Sequence, residues 1–272
     1  MSSLSVSTWS LHRTIGDPAF YGPEAESQWT NTSTIPAQLT LLDLPARLAA
    51  FGVHKLEICH FHLPTTNMGY LKELKMALAA AGVELWSVLI DAGDITHPQH
   101  SQRDLAWVSR WVAVAGELGA TNARVIAGKA PATDESLTLS IVGLKQLVAI
   151  AKQSNVRLTT ENWFALLEQP SAVLDICDAL ESHLGLNFDF GNWHGPDKYD
   201  RLAQIASRAQ SSHAKAHFTA AYQIDQIDYV RCLDICQQAH FSGVHTLIYD
   251  DPNGPDEWLG LQIEKALVEA YL

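Results

Sequence analysis

The sequence predicts an α/β protein, a single (β/α)8 TIM barrel with residues 1–272 forming one domain. Three observations carry that expectation. Eight strand-like runs alternate with eight helix-like runs, a pattern that favours parallel strands joined by crossover helices. The length of 272 residues fits one closed barrel of about 250 residues. No GxGxxG follows the first strand and no phosphate-binding loop is present, which removes the best support for a nucleotide-binding open sheet.

The elements follow in order. LSVSTW (Leu4 to Trp9) alternates and reads as the first strand. Residues 12–37 are rich in Gly, Pro, Ser and Thr and carry Phe20, Tyr21 and Trp29; a connection of that length suggests a lid or a binding loop. Thr40 is positioned to cap LLDLPARLAAF, which Gly52 ends. HKLEIC is the second strand, ending near Glu57, followed by HFHLP and the helix MGYLKELKMALAAAG. VELWSVLI is the third and leads to Asp91 and Asp94. Residues 101–119 predict a long helix with Trp107, Trp111, Val114 and Leu118 on one face. NARVIA is the fourth strand, and Thr133 or Asp134 caps the helix after it. VRLTTE, LNFDF, SSHAKAH and VHTLIY are strands five to eight, with helices opening at Pro170, at 198, at Ile227 and at 256.

Composition narrows the function. The net charge of −12, from 18 basic and 30 acidic residues without a basic cluster, argues against a nucleic-acid partner, because phosphates would be repelled. No apolar run approaches the ~20 residues of a membrane helix. The N-terminus lacks a basic stretch followed by an apolar one, so a cytoplasmic protein without a membrane partner is expected. Cys59, Cys177, Cys232 and Cys236 form no CxxC pair and read as reduced packing thiols.

The chemistry concentrates at strand ends. Glu161, Asp189 and His213 end or lie late in three consecutive strands, and in a barrel the C-terminal ends of the strands converge on one mouth. Each has an ordinary structural use: Glu161 in an ion pair or helix cap, Asp189 bonded to amides near Gly191, His213 as a satisfied core residue. Together they form a donor set of two carboxylates and one imidazole, suited to Mn, Mg, Co or Zn. Such a cation polarises a carbonyl or hydroxyl oxygen, and carboxylates in a dry mouth can move protons.

The chain resembles the xylose isomerase-like barrels, the sugar phosphate isomerase/epimerase family. The resemblance covers nearly the whole length and is carried by LSVSTWSLH, LTLLDLPARLAAFGVHKLEI, VELWSVLIDAGDIT, LGATNARVIAGKAP, TTENW, DFGNW, SSHAKAHF and IDYVRCLDI. It implies a divalent metal held by Glu161 of ENW, Asp189 of DFGN, His213 of HAK and a Glu on the eighth strand. Ile248 stands in place of that Glu, which removes one ligand and, for epimerase members, one of two acid/base carboxylates. Asp250, two residues on and on the same strand face, is a possible replacement ligand if the strand end bends. Asn192 and Trp163 stand where many members carry His.

Lys215 shares the inward face with His213 and is expected to contact a substrate oxygen or to pair with Asp189 or Glu161. His60 and His62 follow Glu57 toward the mouth, and Arg124 reads as an ion-pair partner inside the barrel. Trp163 and Trp193 flank the site with faces suited to a sugar ring. The expected function is a divalent-metal-dependent isomerase or epimerase acting on a small sugar, sugar phosphate or polyol through an enediolate-like intermediate. Glu161 and Lys215 are its catalytic residues, and Asn192, Trp163 and His60 bind substrate. Loss of one carboxylate favours one-face isomerisation or dehydration over two-base epimerisation. The competing expectation is a metal-poor barrel that binds a sugar-like ligand without turning it over. A DNA-repair endonuclease is disfavoured by the charge. A homo-oligomer is compatible with the sequence.

Overall fold

The computed structural model describes residues 3–17, 20–25 and 35–272. Seven strands, β1 (Ser3–Ser7), β2 (Lys55–Cys59), β3 (Glu84–Ile90), β4 (Asn122–Val125), β5 (Arg157–Glu161), β6 (Leu184–Asp189) and β7 (Ala209–Lys215), precede a short hairpin of β8 (Phe218–Ala220) and β9 (Gln223–Ile224). The last strand is β10 (Val244–Ile248). Seven strands and β10 close into a parallel barrel in the order β1-β10-β7-β6-β5-β4-β3-β2. Every strand expected from the sequence is therefore a barrel strand.

A short helical turn, α1 (His12–Ile15), follows β1, and eight helices then stand between strands or after β10: α2 (Leu44–Ala50), α3 (Met68–Ala81), α4 (Ser101–Leu118), α5 (Asp134–Gln153), α6 (Pro170–Leu180), α7 (Lys198–Ile205), α8 (Gln226–Gln238) and α9 (Glu257–Val268). Their ends follow local chemistry. The Thr133 hydroxyl accepts from Ser136 N at 3.1 Å and Ser136 Oγ accepts from Thr133 N at 2.9 Å, a reciprocal cap that selects Thr133 over Asp134. α2 starts one turn later than the expected cap at Thr40: its N-cap residue is Asp43, and the Thr40 hydroxyl donates to Asp43 Oδ2 at 2.6 Å. Gly82 (φ 63°) and Gly119 (φ 76°) end α3 and α4 in the left-handed region that only glycine adopts cheaply.

The apolar core lies between barrel and helices, where Ile58, Val88, Phe188 and Leu247 meet Trp107, Leu144, Ile176 and Leu261. The four cysteines are all buried and unpaired, as packing thiols are. Period-2 alternation sends the other face of each strand inward. Ala214 of β7 is apolar and fully buried, whereas its neighbours His213 and Lys215 line the mouth. No helix among the described residues is long and apolar enough to cross a membrane.

The long loop after β1 is described in part. Gln38 N and Leu39 N donate to Thr14 O, which pins its end. Tyr21 is buried and packs against Trp107, with ring centroids 6.2 Å apart. Trp29 lies outside the described residues.

Candidate metal centre and active site

Strands β5, β6 and β7 are adjacent, and their registers pair Asp189 with His213 and Glu161 with Asn187. Strand order thus places Glu161, Asp189 and His213 around one point. One donor atom from each lies within 4.8 Å of the others. His213 Nδ1 stands 3.2 Å from Glu161 Oε2 and 3.5 Å from Asp189 Oδ2. All three side chains are buried.

Each donor is oriented from behind. His213 Nε2 lies 2.8 Å from Glu57 Oε2, so the proton on Nε2 is held by a carboxylate and Nδ1 faces the two acids. That carboxylate–imidazole support is how metal-binding histidines are commonly fixed. Asp189 divides its oxygens between two tasks. Oδ1 accepts from Gly191 N at 2.6 Å and Asn192 N at 2.8 Å, which closes the turn after β6, and Oδ2 is left toward His213. Asn162 clamps the same strand end, donating to Asp189 O and accepting from Asp189 N. Glu161 Oε2 accepts from Asn187 Nδ2 at 3.0 Å and meets Arg124 Nε at 3.2 Å. Its Oε1 accepts from Asn192 Nδ2 at 2.7 Å.

Arg124 and Asp91 complete the wall. Arg124 Nη2 donates to Asp91 Oδ1 at 2.5 Å, and both side chains are buried. The expectation of an ion-paired arginine inside the barrel is met, with both Asp91 and Glu161 as partners. The charges shift one another. Burial would raise the Glu161 pKa, but the adjacent His213 and Arg124 hold it well below the usual carboxylate range. Burial would lower that of His213, and the surrounding Glu161 and Glu57 push it well above the usual imidazole value.

The donor set fits a divalent cation. Two carboxylates and one imidazole converge from three strands, the imidazole is oriented by a second carboxylate, and one side is left for solvent or substrate. The pocket around them holds about 410 Å³, open mouth included, and Trp163, Lys215 and Ile248 are among its lining residues. Ile248 lines the same pocket, and no fourth described His, Cys, Asp or Glu joins the cluster of Glu161, Asp189 and His213.

The other expected site residues divide: Lys215, Trp163 and Asn192 line the pocket, whereas Asp250 and His60 are not among its lining residues. Asp250 lies outside the cluster of Glu161, Asp189 and His213: β10 ends at Ile248, and Asp250 Oδ2 takes Lys215 Nζ at 2.7 Å. Lys215 does line the pocket, but it pairs with Asp250 rather than with Asp189 or Glu161, which raises its pKa against the effect of burial. His60 does not line the pocket. Its Nε2 donates to Tyr21 O at 2.9 Å, its Nδ1 accepts from Asp91 N at 3.2 Å, and its ring packs among Trp107 and Trp111. His62 is turned to Thr8 Oγ1 and to His12. Trp193 is buried, with its Nε1 on Leu167 O at 3.0 Å. Trp163 does line the pocket, with the Arg124 guanidinium carbon 5.3 Å from its ring centre. Asn192 also lines it, and its side chain holds Glu161.

A family model described as a xylose isomerase-like TIM barrel matches residues 45–262. The chain belongs to that family, as its closed barrel and the three converging ligand-type side chains indicate. No curated protein matches the sequence. Among solved structures, it is similar to a xylose isomerase-like TIM barrel protein from Mycobacterium smegmatis in complex with magnesium, with TM-score 0.70 and 13% identity over 100% of this chain and 97% of that one. It is similar to D-psicose 3-epimerase with D-tagatose from Clostridium cellulolyticum H10, with TM-score 0.71 and 12% identity over 99% and 98%. It is also similar to the probable 3-DHS dehydratase AsbF of Bacillus anthracis, with TM-score 0.70 and 13% identity over 97% and 98%. At such identities the likeness is one of fold.

Proposed function

We propose that the protein is a divalent-metal-dependent enzyme of the isomerase or epimerase type, acting on a small sugar or polyol. The observation that carries this reading is the convergence of Glu161 Oε2, Asp189 Oδ2 and His213 Nδ1, with His213 locked by Glu57. Glu161, Asp189 and His213 would hold the cation, which supplies positive charge to a substrate carbonyl or hydroxyl oxygen and so eases loss of a neighbouring proton.

The side chains divide the remaining work. Glu161 Oε2 is occupied by Asn187, Arg124 and His213, so Oε1, bonded to Asn192, is the atom that can receive a substrate proton. Its low pKa makes Glu161 a weak base until substrate displaces some of those donors. Lys215 Nζ, held at the mouth by Asp250 with further N–H donors to give, would donate to a substrate oxygen. The Trp163 face offers an apolar wall for the carbon side of a sugar ring. Ile248 gives β10 an apolar side chain at the pocket instead of a second acid/base carboxylate, which favours a reaction at one face, isomerisation or dehydration, over two-base epimerisation. Glu161→Gln tests the assignment: metal binding and turnover of a responsive sugar should fall together, and turnover retained at the original rate would refute it.

A second reading has its own observation. Ile248 lines the site, and the Arg124 guanidinium already neutralises part of the Glu161 charge. These features suit a barrel that binds a sugar-like ligand without a metal and without catalysis. Sub-stoichiometric metal after addition of Mn²⁺ or Zn²⁺ would favour it.

A further inference from the structure

We infer that this pocket takes an uncharged, hydroxyl-rich compound and rejects its phosphate ester, a statement of substrate class that rests on the sugar-directed function proposed above. The metal pocket shares Trp163, Asn192 and Lys215 with a wider groove of about 1630 Å³, open mouth included. A phosphorylated substrate would therefore have to place its phosphate in one of these two spaces.

Neither space offers an uncommitted lysine or arginine among the described residues. Arg124 is taken by Asp91 and Glu161, Lys198 by Asp228 at 2.6 Å, and Lys215 by Asp250 at 2.7 Å. The long loop after β1 does not supply one either: Arg13 at its start is paired with Glu257, and no Lys or Arg occurs from Thr14 to Ala46. Six carboxylates line the two spaces, from Asp91, Glu161, Asp189, Asp225, Asp228 and Asp250, against three Lys or Arg side chains. In the groove alone the ratio is three, Asp225, Asp228 and Asp250, to two, Lys198 and Lys215. A phosphate ester brings roughly −1.5 to −2 charges at neutral pH. To be held by Lys215 or Lys198 it must share the ammonium with an aspartate that already neutralises it and lie beside that carboxylate, where like charges oppose.

The unmatched atoms of the wall point the same way. Arg124 Nη1 and Asp91 Oδ2 are buried and lack a hydrogen-bond partner among the described residues, although both side chains line the pocket. They are one donor and one acceptor of a single ion pair. A hydroxyl group both accepts and donates, so a polyol can meet either atom or both. A phosphate oxygen without a proton only accepts, and would set its charge against Asp91. His194 and His217 of the groove add ring nitrogens that pair with hydroxyls.

The test is calorimetric titration of Mn²⁺-loaded protein at neutral pH with matched pairs: ketohexoses and their 6-phosphates, aldopentoses and their 5-phosphates, and inorganic phosphate alone. The expected result is at least one neutral sugar binding about tenfold or more tightly than its ester, with no heat from inorganic phosphate. Asp250→Asn, which releases Lys215, should narrow that gap. An ester binding as tightly as its neutral partner, no binding by either, or a gap unchanged in Asp250→Asn would overturn the inference. Metal stoichiometry, measured on the same samples, separates the two levels. Full metal loading with a preferred ester sinks only the substrate class, whereas neutral-sugar preference without metal sinks the enzymatic reading and leaves the inference standing.

Discussion

Glu57 Oε2 lies 2.8 Å from His213 Nε2, across 156 residues of chain. That contact decides which imidazole nitrogen faces the two carboxylates, so it sets the direction of the ligand. Glu57→Ala leaves the ring free to rotate and removes its negative support. Loss of such a partner lowers metal affinity by roughly 10–100-fold, and calorimetric Mn²⁺ titration of wild type and variant should show that drop with an unchanged far-ultraviolet circular dichroism spectrum.

Ile248 pairs in register with Lys215 and lines the same pocket as Glu161, Asp189 and His213. Ile248→Glu should add a fourth donor and raise metal affinity about tenfold or more. Without metal the variant should be less stable than wild type, because its new carboxylate is buried beside those of Glu161 and Asp189. Thermal unfolding with and without Mn²⁺ reads both effects: a lower midpoint without metal, and a larger metal-induced rise than in wild type.

The Arg124–Asp91 pair is buried, so removing one partner strands a charge. Arg124→Leu should cost about 3–5 kcal/mol of stability. The double variant Arg124→Leu/Asp91→Leu should recover the part due to the stranded Asp91, because apolar replacement of a paired couple is often neutral, while Glu161 keeps His213, Asn187 and Asn192 as partners. Urea denaturation of the single and double variants measures the difference.

His245, on the outer face of β10, is buried with its Nδ1 2.7 Å from Ser212 Oγ. Burial lowers its pKa to about 4. The folded value is below the unfolded value of about 6.5, so the unfolded chain binds the extra proton between those limits. The stability that neutral His245 contributes is therefore complete above about pH 6.5 and is lost as pH falls toward 4, a loss of roughly 3 kcal/mol. His245→Gln should flatten that part of the stability–pH curve, as urea midpoints measured from pH 4 to 7 would show.

The sequence carried the barrel and the three ligand-type residues because both depend on local pattern. Alternation fixed which face of each strand turns inward, and an apolar run ending in Glu161 or Asp189 marks a mouth. It did not show what closure brings together. Glu57 of β2 reaches His213 of β7 only across the barrel interior. Asp250 was aligned by strand spacing, but the strand stops two residues earlier and Lys215 takes the carboxylate. His60 follows β2, which points it toward the mouth by sequence position alone; the aromatic face of α4 captures it instead. The β8–β9 hairpin was missed because its turn places Tyr222 at φ 58°, without the Asn or Gly that usually signals such a turn.

Titration of Mn²⁺ into metal-free wild-type protein and into Glu161→Gln tests the central claim most directly. The three converging ligands predict one ion per chain in wild type and loss of that binding in the variant. No saturable binding in wild type, or the same affinity in both proteins, would contradict it.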